Sequence, residues 1–360
     1  MLARPEKEVV IESRNRPAIP ENCLVSVVIA TWNRKSDLRE TLKHYQEQSY
    51  RNLEIIVADN GSTDGTAEMI EREFPSARLI KLDENVGVAA CNIGMRESKG
   101  EIVVVSDNDA HLEPMGVEKI VRKFQKGNPN LAVVACEIVY LPQQTIYQWY
   151  HHPVDRGSPP PQGYPAHLFV GAGAGIRKEV LKQVGYYPEE YFFYMNEVDL
   201  CTRILAAGYD IRYFPDIVVY HRWTDISRSK DRSRLLSFRN IIWYYWRYFP
   251  ILTALGRSLV RIPFEIVQLG ILRTNLFQIA ATLGETLWRL PRILKKRQRI
   301  PKQYVRRALD NRSEVATLYH SLRERISRRR STRSEEKVNR SQMKSLLLLR
   351  KSLARLSRAG

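Results

Sequence analysis

The chain has 360 residues, 44% of them hydrophobic, and a formal net charge of +18 at pH 7, enough for one large domain or two ordinary ones. Four cysteines (Cys23, Cys91, Cys136, Cys201) stand singly without a C-x-x-C pair, which argues against a zinc cluster or a disulfide framework and fits a reducing compartment. Residues 226–360 hold 32 Lys+Arg against 8 Asp+Glu, leaving 25 basic and 31 acidic groups in residues 1–225; a basic extension behind an acidic domain points to a membrane or nucleic-acid partner for the extension.

The N-terminus (MLARPEKEVVIESRNRP) is charged and has no apolar core segment, so no signal peptide is read there. Residues 1–22 form a loose, proline-punctuated leader. Leu24 to Thr31 (LVSVVIAT) is a first buried strand, followed by Thr31-Trp32-Asn33-Arg34 and a helix with Ser36 as N-cap. Leu53 to Ala58 is a second strand, ending at Asp59-Asn60-Gly61, after which Ser62 or Thr63 caps a helix through Phe74. Ala77 to Leu82 is a short third strand, and Asn85-Val86-Gly87 opens a helix containing Asn92.

Ile102 to Val105 is an unbroken, mostly β-branched run, which suits a strand buried on both faces of a parallel sheet. It runs into Asp107 and Asp109. Ligands of open α/β sheets bind beyond the carboxyl ends of the strands, so D-x-D there offers two hard oxygen ligands. Mg²⁺ or Mn²⁺ is commonly held by one or two carboxylates plus substrate phosphates. Alone, D-x-D reads as a solvated turn; Asn33, Asp59, Asn85 and Asp107, each following a strand, reverse that reading and set it on a ligand-bearing edge. The β-α-β-α-β-α-β order predicts a doubly wound, mostly parallel, Rossmann-like sheet. No G-x-G-x-x-G follows the first strand, so the dinucleotide fingerprint is absent.

From Tyr140 to Pro165 the chain is proline-rich and loop-like, and His151 to Pro165 is expected to act as a lid that orders when ligand binds. Lys178 begins a short helix ended by Gly185. Tyr186, Tyr187, Tyr191, Phe192, Phe193 and Tyr194 supply core packing, a sugar-stacking wall, or both. Glu197 and Asp199 open a helix running to Ala207. Two residues apart is about 200° around a helix, so they face different ways. Glu197 shares the inward face with Leu200, Cys201 and Ile204, while Asp199 is placed to pair with Arg203 four residues on.

The segments VSVVIATWNR, VADNGSTDGT, ENVGVAACNIG, VSDND, GAGAGIRKEVLKQVGYYPEEYFFYMNEVDLCTRILAAGYDIRYFP and VVYHRW, in this order, make residues 24 to about 225 resemble a family 2 glycosyltransferase of the GT-A fold, nearest its rhamnosyltransferase-like branch. The resemblance implies roles for matching positions. Thr31, Asn33, Asn85 and Asn92 would sit around the nucleotide sugar, with Asp59 as base-and-ribose contact. Asp109 would be the direct metal ligand, Asp107 would reach ribose or metal, and His221 (in a pattern with Ser227) would face the metal and diphosphate. The family's E-D pair reads Asn196-Glu197 here, which makes Glu197 the catalytic base and gives Asp199 a supporting catalytic role. The implied activity is an inverting, Mg²⁺- or Mn²⁺-dependent transfer from a nucleotide-diphosphate sugar to a saccharide or lipid-linked acceptor, in polysaccharide biosynthesis. Two alternatives stay open: a sugar nucleotidyltransferase, and a nucleic-acid- or membrane-binding protein on an inactive scaffold.

The expected organisation is a GT-A domain over 23–225 (donor half 23–139, acceptor half 140–225), an amphipathic, aromatic helical region over 226–300, and a basic helical or disordered tail over 301–360. Trp243, Tyr244, Tyr245, Trp246, Tyr248 and Phe249 beside Arg239 and Arg247 read as an interfacial aromatic and basic belt. Arg261, Glu265, Arg273, Glu285 and Arg289 interrupt the apolar stretch that follows, so no run reaches the ~20 residues a spanning helix needs. Residues 226–360 are therefore expected to lie on an anionic membrane surface, at the cytoplasmic face of the cell membrane, with no specific nucleic acid as partner.

Overall fold

The β-branched runs of the sequence form the centre of one sheet in the computed structural model, which describes residues 18–146, 155–222, 230–271, 275–298 and 300. These fall within one compact unit ending at Pro301; a second unit, Lys302–Gly360, lies outside the described residues, as do Ser227 and residues 147–154 of the proline-rich loop. In chain order the elements are β1 (Val25–Thr31), α1 (Lys35–Gln46), β2 (Leu53–Asp59), α2 (Thr66–Glu73), β3 (Arg78–Lys81), α3 (Ala89–Glu97), β4 (Ile102–Ser106), β5 (Ala110–Leu112), α4 (Gly116–Lys126), β6 (Leu131–Tyr140), β7 (Thr145–Ile146), β8 (Tyr164–Ala166), β9 (Ala174–Arg177), α5 (Lys178–Val184), a 3-10 turn (Glu189–Tyr191), α6 (Asn196–Ala206), β10 (Asp210–His221), α7 (Lys230–Tyr248), α8 (Ile251–Ile271) and α9 (Leu276–Lys295).

The main strand order is β3-β2-β1-β4-β9-β6-β10-β5. Pairings β2–β3, β1–β2, β1–β4 and β6–β10 are parallel, while β9 runs antiparallel between β4 and β6. All five residues of β4 are buried, as expected of a strand covered on both faces. β9 contributes the glycine-rich stretch after Gly171: a Cβ on Gly175 would collide with Ile120 of α4, so glycine there lets the helix sit against the strand.

Both helix starts differ from expectation. α1 begins at Lys35 and α2 at Thr66. Neither Ser36 nor Ser62 or Thr63 caps them. Asp64 serves both, accepting from the Lys35 N–H (3.0 Å) and the Thr66 N–H (3.2 Å), because one carboxylate at the tip of the β2–α2 loop reaches both sets of unsatisfied amides.

The aromatic segment of α7 is not an interfacial belt. Trp243 is 0% exposed and Tyr244, Tyr245, Tyr248 and Phe249 are all buried, because they fill the space between the sheet domain and the two helices that follow. Trp243 packs with Tyr191 and Ile293 and donates its Nε1–H to the Thr286 carbonyl at 3.0 Å. Arg239 is stacked over Trp243 and bonded to Glu285, and Arg247 is bonded to Glu190. The Tyr248 hydroxyl donates to Asp199 Oδ2 at 2.8 Å, joining α7 to α6. A hydrogen bond to a buried carboxylate contributes about 1.5–3 kcal/mol, so Tyr248→Phe should lower unfolding free energy by that amount in urea titration. An unchanged midpoint would show that α7 does not depend on this contact.

Candidate active site

The site is assembled at the carboxyl ends of β1, β2, β4 and β10. After Ser106 the chain turns through Asp107-Asn108-Asp109, with the Ala110 N–H donating to the Asp107 carbonyl at 3.3 Å, and enters β5. β5 pairs antiparallel with β10 so that Ala110 faces His221. That register carries the imidazole to the acidic turn. His221 Nε2 lies 3.0 Å from Asp109 Oδ1 and 3.9 Å from Asp107 Oδ2, and one ligand atom from each residue falls within 4.8 Å of the others. Asp109 and His221 are buried, whereas the Asp107 side chain is 40% exposed, so Asp107 is the member open to a ligand. Two carboxylates and an imidazole form a donor set that could hold a divalent cation, with exposed Asp107 leaving room for further oxygen ligands. Arg34, at the end of the β1 turn, places Nη1 3.5 Å from Asp109 Oδ2 and offsets part of this charge.

The loops around this group are tied to one another. Thr31 accepts from the Asn108 amide (Nδ2 to Oγ1, 3.2 Å), fixing the acidic turn to β1. Asn33 adopts φ 51°, a left-handed conformation that asparagine tolerates better than most residues, and its Oδ1 accepts from the Thr63 N–H at 2.8 Å. Asp59 is buried at the end of β2 and accepts from the Ser62 N–H at 3.2 Å. Asn85 Oδ1 accepts from the Gly87 N–H at 2.9 Å. Asn92, by contrast, is fully buried and its amide is taken up by the Tyr187 backbone on both sides (2.9 Å each) and by Glu189. It braces the wall of the site.

Glu197 lies in the first turn of α6, half-buried. Gly171 faces it: a Cβ there would stand 2.6 Å from Glu197 Oε1. Withdrawal from solvent pushes its carboxyl up to about 7, and the negative charge of Asp107 adds to the rise; backbone N–H groups of Glu197 and Gly171 act the other way. Asp199 points elsewhere. It has no exposed surface, accepts from Arg203 Nε at 2.9 Å and from the Tyr248 hydroxyl, and has Arg247 at 3.6 Å. The expected Arg203 pair is present, and Asp199 ties α6 to α7 while remaining apart from the Asp107–Asp109–His221 group.

Asn240 was not among the expected site residues, and Arg239 was read as part of an interfacial belt, yet both brace the segment that leads into α6. Phe192, Tyr194 and Met195, just before α6, all have positive φ (63°, 66°, 63°), a conformation that is costly for bulky side chains and persists where surroundings enforce it. Asn240, fully buried in α7, directs Nδ2 at the carbonyls of Tyr191 (3.0 Å), Phe193 (2.7 Å) and Tyr194 (3.1 Å), and Arg239 donates to the Tyr191 carbonyl at 2.9 Å. Two strongly polar residues inside the apolar run of α7 were the available signal.

Residues 26–185 match glycosyl transferase family 2. The chain carries a family 2 glycosyltransferase domain. GlyG, a glycosyltransferase of Streptococcus pneumoniae, is 30% identical over 114 residues, spanning 31% of this chain and 38% of that protein. The Mycobacterium tuberculosis N-acetylglucosaminyl-diphospho-decaprenol L-rhamnosyltransferase is 23% identical over 234 residues, 55% of this chain and 76% of that one. Among solved structures, the mannosyltransferase PcManGT of Pyrobaculum calidifontis, in complex with GDP-Man and Mn²⁺, aligns at TM-score 0.51 and 21% identity over 79% of this chain and 87% of its own. TarS 1-349 of S. aureus, in complex with UDP-GlcNAc, aligns at TM-score 0.52 and 15% identity, covering 76% and 84%. These two establish the GT-A fold of the glycosyltransferase domain.

The raised Glu197 carboxyl has a consequence for stability. Its folded pKa of about 7 exceeds the ordinary 4.5, so the protonated form is favoured in the fold; this stability is present below about pH 4.5 and is lost as pH rises through 7. With chelator present, Glu197→Gln should therefore gain stability relative to wild type between those limits, read as diverging melting temperatures. Parallel profiles would contradict the shift.

Proposed function

We propose that this protein is an inverting glycosyltransferase that moves a sugar from a nucleotide-diphosphate donor to an acceptor hydroxyl, using Mg²⁺ or Mn²⁺. The observation that carries the reading is the convergence of Asp107, Asp109 and His221 within 4.8 Å at the strand ends, with Glu197 facing the same region. Asp109 and His221, with Asp107 completing the set, would hold the cation. When bound, it would neutralise charge on the departing diphosphate. Asp59 and the Thr31–Asn33 turn would seat the base and ribose, and Asn85 would shape the neighbouring loop.

Glu197 takes the acceptor proton as the hydroxyl attacks the anomeric carbon from the face opposite the diphosphate. The new glycosidic bond forms as the sugar–phosphate bond breaks, the electron pair leaves with the diphosphate, and the anomeric centre inverts without a covalent enzyme intermediate. A base poised near the working pH is favourable for such transfer, and a carboxyl raised to about 7 meets that condition. Asp199 supports by holding α6. The acceptor is a saccharide or lipid-linked glycan in polysaccharide synthesis, a reading supported by the diphospho-decaprenol acceptor in the name of the M. tuberculosis relative. No helix among the described residues is long and apolar enough to cross a membrane, and the protein would act peripherally on the inner face of the cell membrane through residues 226–360.

The test is a thermal-shift panel of nucleotide-diphosphate sugars with and without Mn²⁺, paired with a transfer assay on the donor found. Wild type should be stabilised by donor only with metal, and Asp109→Asn should lose that shift and the activity. Glu197→Gln should keep the shift while turnover falls roughly 10²–10⁴-fold. Full transfer by Asp109→Asn, or loss of donor binding in Glu197→Gln, would overturn the assignment.

A further inference from the structure

A helix that covers a core turns its apolar stripe inward. α8 does the reverse. Leu252, Leu255, Leu259 and Val260 recur at spacings of three, four, seven and eight, which places them on one side of the helix. They are 81%, 42%, 66% and 76% exposed. The side turned to the protein carries Ser258 and Glu265, both buried. α9 is apolar on both sides: Ile279 and Ile293 are buried against the protein, yet Phe277, Ala281, Gly284 and Trp288 follow one another at spacings of four, three and four and are all exposed, Phe277 at 79% and Trp288 at 69%. Exposed apolar ridges of this extent mark a docking surface.

Charge selects the occupant. The only acids of the two helices are each ion-paired, Glu265 with Arg261 and Glu285 with Arg239 and Arg289. Arg289, Arg292, Lys295 and Lys296 are exposed along and just beyond the end of α9. The surface is therefore apolar and cationic. A second copy of the chain would bring the same positive charge against it, which disfavours self-pairing, whereas an anionic bilayer offers hydrocarbon and negative headgroups together.

We propose that the outward ridge of α8 and α9, with Leu252, Leu259, Phe277 and Trp288 as its leading side chains, is the surface that inserts into the headgroup–acyl boundary of an anionic membrane, both helices lying flat. This rests on the peripheral-membrane reading above and deepens it by assigning the contact to two apolar ridges in place of the aromatic run of α7. On α9 the ridge borders α7. A groove of about 440 Å³ between α7 and α9 is lined by Ala281 of the ridge and by Arg232, whose guanidinium lies over the Phe192 ring at 4.7 Å, five residues before Glu197.

The experiment uses the full chain with phosphatidylglycerol and phosphatidylcholine vesicles. Wild type should sediment with phosphatidylglycerol vesicles. The combined variant Leu252→Ser, Leu259→Ser, Phe277→Ser, Trp288→Ser alters exposed positions only and should keep the melting temperature, while its partition coefficient falls at least ~10-fold. In wild type, lipid should shift part of the tryptophan emission to the blue; Trp288→Phe should still bind but lose that component. A four-site variant that binds as tightly as wild type would overturn the ridge and leave the peripheral reading standing on the basic tail. Failure of wild type to bind either vesicle would overturn both. A lipid-free wild-type dimer that becomes monomeric in the variant would overturn the ridge as a lipid contact in favour of self-association.

Discussion

Asp109 is an acid with no exposed surface at the end of the central strand, and an ionised group there is tolerated only beside compensating partners. Its partners come from distant parts of the chain: His221 from the last strand, at 3.0 Å, and Arg34 from the first strand's turn, at 3.5 Å. The Arg222 N–H also donates to the Asp109 carbonyl at 2.8 Å. This single requirement holds the ends of β1, β4 and β10 in one place. It also explains the short antiparallel strand β5, whose register against β10 delivers the imidazole. The same cluster of negative charge that has to be compensated within the protein is what makes the location suitable for a divalent cation.

A second buried carboxylate does comparable work in α6. Asp199 gathers Arg203 from its own helix and Tyr248 and Arg247 from α7, so α6 is anchored by residues that lie beyond the stretch matching the family. Asn240 and Arg239 add bonds to the carbonyls of the left-handed segment preceding α6. The C-terminal helices are thus split in role: α7 is part of the wall that orients Glu197, whereas α8 and α9 turn apolar ridges outward.

Much of this was legible from residues alone. Unbroken β-branched runs fixed the parallel strands, and D-x-D after the most apolar of them located the acidic turn. The 200° separation of Glu197 and Asp199 anticipated the Asp199–Arg203 pair, though Asp199, expected on the less inward face, is the fully buried one of the two. What was not legible depends on three-dimensional partners. The caps of α1 and α2 fall to Asp64 because two loops meet, which no local window contains. Asn92 was expected at the nucleotide pocket, but its amide is held by the Tyr187 backbone, 95 residues away in sequence. The aromatic run of α7 looked interfacial because aromatic and basic residues have the same composition at a membrane and in a buried helix stacked with arginine. Only burial distinguishes the two.

The most direct measurement is anomalous scattering from crystals grown with Mn²⁺ and a nucleoside diphosphate. The account predicts one manganese peak within coordination distance of Asp109 and His221, with Asp107 directed to the same ion or to the ribose and the diphosphate bridging to it. A nucleotide bound at these strand ends without metal, or a manganese peak away from this group, would contradict it.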